Sequence, residues 1–321
     1  MKTGWADVGL PGLKKIGRDR GKVMGRGSYT SSDWSKLKKS SSISEASTAD
    51  QIFTKRAMED RFNPRFIQMR EARDSEDHPD STPIIIGLDT TGSMGYLSEE
   101  IAKNSLHETM MKLYSTKPVT DPQLMFSAIG DVCDSAPLQV TQFESDIRIA
   151  EQLLDLWLEG RGGDAPEDYP LLWYFAAKHT VTDSFVKRKK KGYLFTIGDA
   201  DCHECVQGND IRQIFDDPGH TYSSAELLSM AKQTYEVFHI HIVKSSQYAP
   251  GTLSRLLPGH LICVSKDKIN RLPEIMISVM QCVNGDKPEQ VVKQWDELAR
   301  PVVSAALESL DLSQKKKGIF F

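Results

Sequence analysis

The sequence predicts an α/β protein: a doubly wound, Rossmann-like, mostly parallel sheet with helices on both faces. Three observations lead there. Short, continuously apolar runs such as "PIIIGLD" (83–89) and "YLFTIGD" (193–199) have the composition of strands buried on both faces. Segments with helical spacing lie between such runs, so strand and helix alternate from residue 83 onward. With 321 residues, the chain is long enough to bury a full core.

In chain order, residues 1–80 read as a basic, serine-rich extension that is partly flexible. Residues 1–40 hold ten Lys/Arg against three Asp; 10 − 3 gives +7, and the net charge of −4 leaves −11 for the remainder. Such an arm is usually a solvated tail, and contact with an acidic partner or nucleic acid is its functional alternative. "SKLKKSSSISEASTAD" (35–50) reads as a linker.

Residues 81–285 form the predicted central domain. After the 83–89 strand, 97–114 have helical spacing with Ser98 as N-cap, and "LMFSAIGD" (124–131) and "LQVTQF" (138–143) read as strands. Helices are predicted over 146–160 and over 168–180, where Pro170 fits only the first turn. "VKRKKKG" (186–192) reads as an exposed turn that could touch an acidic partner. It is followed by the 193–199 strand, a 223–237 helix with capping-box spacing, strands at 238–244 and 260–266, and a 269–285 helix. Residues 286–321 read as one or two added helices and a basic tail.

No apolar run approaches the roughly 18 residues of a membrane span. Residues 1–15 lack the apolar segment of a secretory signal. The five cysteines (133, 202, 205, 263, 282) are odd in number and scattered, which suits reduced thiols. A cytoplasmic setting without membrane contact is therefore expected.

The chemistry is concentrated where predicted strands end, the edge at which doubly wound sheets bind ligands. Asp89-Thr90-Thr91-Gly92-Ser93 follows the first strand, "GRGGDAPEDY" (160–169) delivers Asp164 and Glu167 to a helix start, and "TIGDADCHE" (196–204) releases Asp199. Acids and hydroxyls from three loops are a fitting supply for a hard divalent cation, which takes about six oxygens. Glycines 92, 95, 162 and 163 would let the backbone turn tightly enough for short side chains to converge. Asp131 and Asp134, in "GDVCD", are expected at the same edge as outer acids or turn formers.

Asp89-x-Thr91-x-Ser93 resembles the D-x-[ST]-x-S signature of von Willebrand factor A domains, the metal-ion-dependent adhesion site. Asp164-Ala165-Pro166-Glu167 is similar to the D-x-P-E segment of integrin β-like and intracellular A domains. Asp199-Ala200-x-x-His203 looks like the strand-end D-A-x-x-H of the same group. The resemblance spans roughly residues 81–285, with all three motifs in order. It implies Mg²⁺, or Mn²⁺ or Ca²⁺ in its place, held by Asp89, Thr91, Ser93, Glu167 and Asp199. Asp164, with Asp131 nearby, would be placed for an adjacent ion. Many A domains carry threonine in the second loop; an acid there makes the site more negative. The implied activity is recognition of a partner protein's Asp or Glu, as in adaptors that work beside AAA-type ATPases, and not catalysis.

A metal-dependent phosphatase or hydrolase of haloacid-dehalogenase type would need an aspartate at position 91, where Thr91 stands. "CHEC" (202–205) has C-x-x-C spacing, but no second such pair completes a zinc site. His239 and His241 share a strand face and, like Trp157, Trp173, Tyr174 and Phe175, read as core or core-edge residues. "GRGGD" lacks the Lys-Ser/Thr of a phosphate loop.

Overall fold

A computed structural model describes residues 27–160, 166–244 and 250–311. The basic arm up to residue 26, Asp164 with Gly162 and Gly163, and the C-terminal basic tail lie outside the described residues. The central sheet has six strands: β1 Thr82–Asp89, β2 Pro122–Ile129, β3 Leu138–Val140, β4 Gly192–Gly198, β5 Tyr235–Val243 and β6 Leu261–Ser265. Their order is β6-β5-β4-β1-β2-β3, parallel throughout except for the antiparallel edge strand β3.

All eight residues of β1 are buried, as expected for a central strand covered on both faces. Because side chains alternate, Ile84, Ile86 and Leu88 enter one apolar cluster and Ile85 the other. The first cluster gathers helices Leu106–Thr116, Leu272–Val283 and Arg300–Glu308. The second gathers Tyr169–Lys178, Gly208–Phe215 and Ser224–Thr234. The doubly wound architecture is thus present. The chain runs from β1 outward to β2 and β3, then returns to place β4 on the other side of β1. The switch point of the topology is the β1–β4 crevice.

Several elements differ from the sequence reading. The first helix begins at Gly95, passes through a π-type segment at Ile101–Ser105 and ends at Thr116. Ser98 is therefore an interior, buried residue and not the N-cap. The helix expected over 146–160 is confined to Arg148–Leu154. Gly208–Phe215 forms a helix where none was predicted. Part of the basic run is also helical, Asp183–Arg188, so it is not simply a turn.

The serine-rich stretch is more ordered than a linker. Ser31–Ser40 is helical, and Trp34, Ile43, Ile52 and Phe53 join the first core cluster. Trp34 stacks on His107 with ring centroids 5.7 Å apart. Those four apolar side chains, sparse among the serines, supply the burial that holds the segment down. After residue 285, Pro288–Lys293 and Arg300–Glu308 are helices. Among the described residues no helix is long and apolar enough to cross a membrane.

Candidate metal centre

β1 and β4 end side by side, with Leu88 registered on Ile197, so Asp89 and Asp199 leave the sheet at the same edge. Asp89 is 1% exposed, and its carboxylate is met by three donors. Its Oδ1 accepts from the Thr91 amide (2.9 Å) and the Thr91 hydroxyl (2.7 Å), and its Oδ2 accepts from the Tyr169 hydroxyl (3.2 Å). Thr90 turns the other way and donates its hydroxyl to the Ile129 carbonyl. Only the second threonine of the pair therefore contributes to the site. Ser93 has its backbone in the 3₁₀ turn Gly92–Met94; its side chain lies outside the described set.

Glu167 is brought in by the backbone. Its amide donates to the Asp201 carbonyl (2.8 Å), and its carbonyl accepts from the His203 amide (3.2 Å), which stitches the second and third loops together. The Tyr169–Lys178 helix, with Pro170 in its first turn, then fixes the direction of the chain. Asp201 anchors the third loop further, accepting from the Thr252 and Leu253 amides at 2.8 and 2.9 Å. Gly198 makes the close approach possible. A Cβ there would meet the Tyr169 hydroxyl at 1.9 Å and Asp89 Oδ2 at 2.8 Å, so a larger residue would displace both.

Electrostatics set this edge apart. Burial, opposed by the Thr91 donors and reinforced by the charge of Asp199, pushes the Asp89 carboxyl above the usual carboxylate range. Burial and then the charges of Asp89 and Asp131 push Glu167 up, with a Thr91 contact working the other way. Glu167 is 6% exposed, and its Oε2 is buried without a hydrogen-bond partner among the described residues. Asp199 is ion-paired with Lys244. An orphaned buried carboxylate oxygen beside other buried acids costs free energy unless a cation arrives. The oxygen-rich donor set therefore fits a hard divalent ion.

Asp89, Thr91 and Glu167 are thus brought into direct electrostatic contact, with Asp199 on the β4 side. Asp131 is also buried at this edge, and its amide donates to Asp134 Oδ2 (2.9 Å), which makes Asp134 a turn former. Sequence reasoning overlooked Tyr169 and Lys244. The tyrosine was read only as part of a helix, and the lysine sits on a strand end 45 residues past Asp199, so no local signal joined them. The C-x-x-C cysteines do not pair, Cys202 being buried and Cys205 partly so. His239 is fully buried, with Nδ1 2.8 Å from the Thr196 hydroxyl, as a core histidine.

Scanned against known families, the sequence matches no family profile, and no curated relative matches it. The structure is similar to several solved ones. For the pilus adhesin SpaC from Lactobacillus rhamnosus GG (open conformation), identity is 8% and the TM-score 0.42, covering 66% of this chain and 31% of that one. For a von Willebrand factor type A structure from Catenulispora acidiphila the values are 13%, 0.39, 68% and 48%. For the vWF domain of the type V pili tip protein Mfa5 from Porphyromonas gingivalis they are 9%, 0.42, 64% and 95%. The chain spans about a third of the SpaC structure's length and about half of the Catenulispora one. Solved structures similar to this chain thus include von Willebrand factor A domains.

Proposed function

We propose that this chain is a von Willebrand factor A-type protein-binding module that uses a divalent cation to recognise an acidic side chain. Asp89, Thr91, Ser93, Glu167 and Asp199 would hold Mg²⁺, with Mn²⁺ or Ca²⁺ as substitutes. When bound, the ion supplies a Lewis-acidic position open to an Asp or Glu of a partner protein. The observation that carries the reading is the buried, unpartnered Glu167 Oε2 beside Asp89 at the switch point of the sheet. Tyr169 and Thr91 orient Asp89, and Gly198 leaves room for them to do so. Lys244 balances Asp199 and would have to yield when a dication enters.

The motif resemblance makes an AAA-type ATPase the partner class to test first, and the five free cysteines suit a reducing cytoplasm. The Thr91 hydroxyl is committed to Asp89, so the second aspartate that a phosphatase of haloacid-dehalogenase type requires has no counterpart.

Calorimetric titration of the purified chain with Mg²⁺ tests the reading. Asp89→Ala and Glu167→Gln should each weaken binding by about tenfold or more. Mg²⁺ affinity unchanged in both variants would reject the site.

A further inference from the structure

Among the described residues, few large apolar side chains are exposed, and two places where they occur complement each other. Phe66 (61% exposed) and Met69 (40%) lie on one short segment, and Leu298 (74%) stands on another.

Phe66 and Met69 line a cleft of about 680 Å³, within the size of ligand-binding clefts. Its wall is aromatic: Tyr174 packs against Phe215 and Tyr222, with ring centroids 4.6 and 5.7 Å away. The acids that line it are already engaged. Asp216 pairs with Arg65 at 3.4 Å, and Asp217 accepts from the Tyr174 hydroxyl at 2.6 Å and lies 2.8 Å from His179 Nε2. Lys178, exposed on the same cleft, meets no carboxylate among the described residues. An adjoining hollow of about 320 Å³ shares residues 66–69 and adds Asp60, Arg61 and Arg70. Arg61 is paired with Glu59 and Asp155, whereas the Arg70 guanidinium donates to the carbonyls of Arg61 and Val140 and to no carboxylate among the described residues. Lys178 and Arg70 against Asp60 leave positive charge in excess beside an apolar seat.

Leu298 has the opposite surroundings. It lies in the turn between the Pro288–Lys293 and Arg300–Glu308 helices. The Leu298 and Ala299 amides both donate to Asp296 Oδ1 at 2.9 Å, and Trp295 Nε1 donates to Ser278 Oγ at 2.7 Å. Trp295 and Ala299 are thereby buried while Leu298 is left standing out. Two acids precede it: Asp296, paired with Arg271, and Glu297, which is exposed and meets no cation among the described residues. Arg300 is turned back to the Lys293 carbonyl. Trp295 and Ala299 belong to the first apolar cluster, and Tyr174 and Phe215 to the second, so turn and cleft lie against opposite faces of the sheet. One molecule cannot seat its own Leu298.

We infer that the cleft beside Phe66 receives the 296–298 turn of a second copy of this chain, with Leu298 on the aromatic wall and Glu297 toward Lys178. Charge complementarity selects this occupant, because an acid-flanked leucine meets cation-flanked rings. A knob on one face and a socket on the other make a heterologous contact, which builds open chains or rings. None of these residues belongs to the proposed Mg²⁺ set, and the inference does not rest on that reading.

Sedimentation velocity on the full chain, in Mg²⁺ and in EDTA, at concentrations up to about 1 mM, reads the contact. The sedimentation coefficient of the wild type should rise with concentration in both buffers without stopping at a dimer. Leu298→Ser and Phe66→Ser, both at exposed positions, should each weaken association by about tenfold or more, and Lys178→Glu by a smaller factor. An equimolar mixture of Leu298→Ser, whose cleft is intact, and Phe66→Ser, whose turn is intact, should form a dimer that grows no further. Wild type that stays monomeric would overturn the inference and leave the cleft to a different protein. Association that survives both serine substitutions would place the contact elsewhere, and association lost in EDTA would place it at the metal centre; either overturns the inference. Two variants that remain monomeric when mixed would show a like-with-like contact and overturn it as well. Failure of Mg²⁺ binding, with association retained, would reject the metal site and leave this contact standing.

Discussion

The two edges of the central sheet both collect acids, and they treat them in opposite ways. At the amino edge, before β1, β2 and β4 begin, Asp74, Asp80 and Asp183 meet Arg73, Lys187 and Arg188. Arg188 donates to both oxygens of Asp74 at 2.7 and 3.0 Å, and Lys187 adds a third contact at 3.0 Å. Asp183 accepts from Arg73 at 2.9 Å and from the Asp74 amide at 3.0 Å, and Asp80 pairs with Arg188 at 2.8 Å. At the carboxyl edge, Asp89, Glu167, Asp168 and Asp131 are buried together, with Asp89 held by the Thr91 and Tyr169 hydroxyls and Asp168 by the Val132 amide. The first arrangement holds the Asp74 carboxyl well below the usual range, with Arg188 the largest cause; in the second, burial drives the carboxyls of Asp89, Glu167 and Asp168 upward. Ion-paired acids of this kind stabilise a fold, whereas a buried carboxylate oxygen without a partner, as at Glu167 Oε2, marks a place that expects a ligand.

That contrast can be broken at either edge. The largest effect on stability is expected from Asp74→Asn, which removes the charge shared by Arg188 and Lys187. Chemical denaturation should show a loss of about 2 kcal/mol, moderated because Lys187 remains half exposed. The pH dependence follows in sign. The folded carboxyl of Asp74 lies below its unfolded value, so its contribution is fully present above about pH 4 and is lost as pH falls toward the folded value. Wild type should therefore lose stability more steeply on acidification than Asp74→Asn, and parallel curves would remove Asp74 from the explanation.

At the carboxyl edge the sign reverses. Glu167→Gln, without metal, should raise stability by about 1 kcal/mol at neutral pH, because it removes a buried carboxyl that, pushed up to about 8, takes up a proton on folding that the unfolded chain does not bind. A destabilised metal-free variant would show that Glu167 is structurally paired after all. The smallest effect is expected from Lys244→Ala. Relieving Asp199 of its ammonium partner should tighten Mg²⁺ by about threefold, which is under 1 kcal/mol. Weaker binding in this variant would mean that Lys244 holds Asp199 in place for the ion.

The fold was legible because β1, β2 and β4 are apolar runs with no other use for their composition, and the helices between them carry apolar residues at helical spacing. The Gly208–Phe215 helix escaped notice because it is eight residues long and buries only Ile211, Ile214 and Phe215. The Asp183–Arg188 helix was hidden by its charges, whose partners lie some hundred residues earlier at Asp74 and Asp80. For the site, the three loops could be named from sequence, because glycine, acid and hydroxyl at a strand end are local signals. The Tyr169–Asp89 hydrogen bond and the Lys244–Asp199 pair are not local. They arise only when the topology returns β4 to the side of β1, and no spacing along the chain encodes them.

The most direct measurement is an anomalous difference map from crystals of this chain grown with Mn²⁺. A peak bounded by Asp89, Thr91, Glu167 and Asp199, with Lys244 moved off Asp199, is the predicted result. Crystals that bind Mn²⁺ nowhere at the β1–β4 crevice, with Lys244 still on Asp199 and Glu167 Oε2 met by a protein donor, would contradict it.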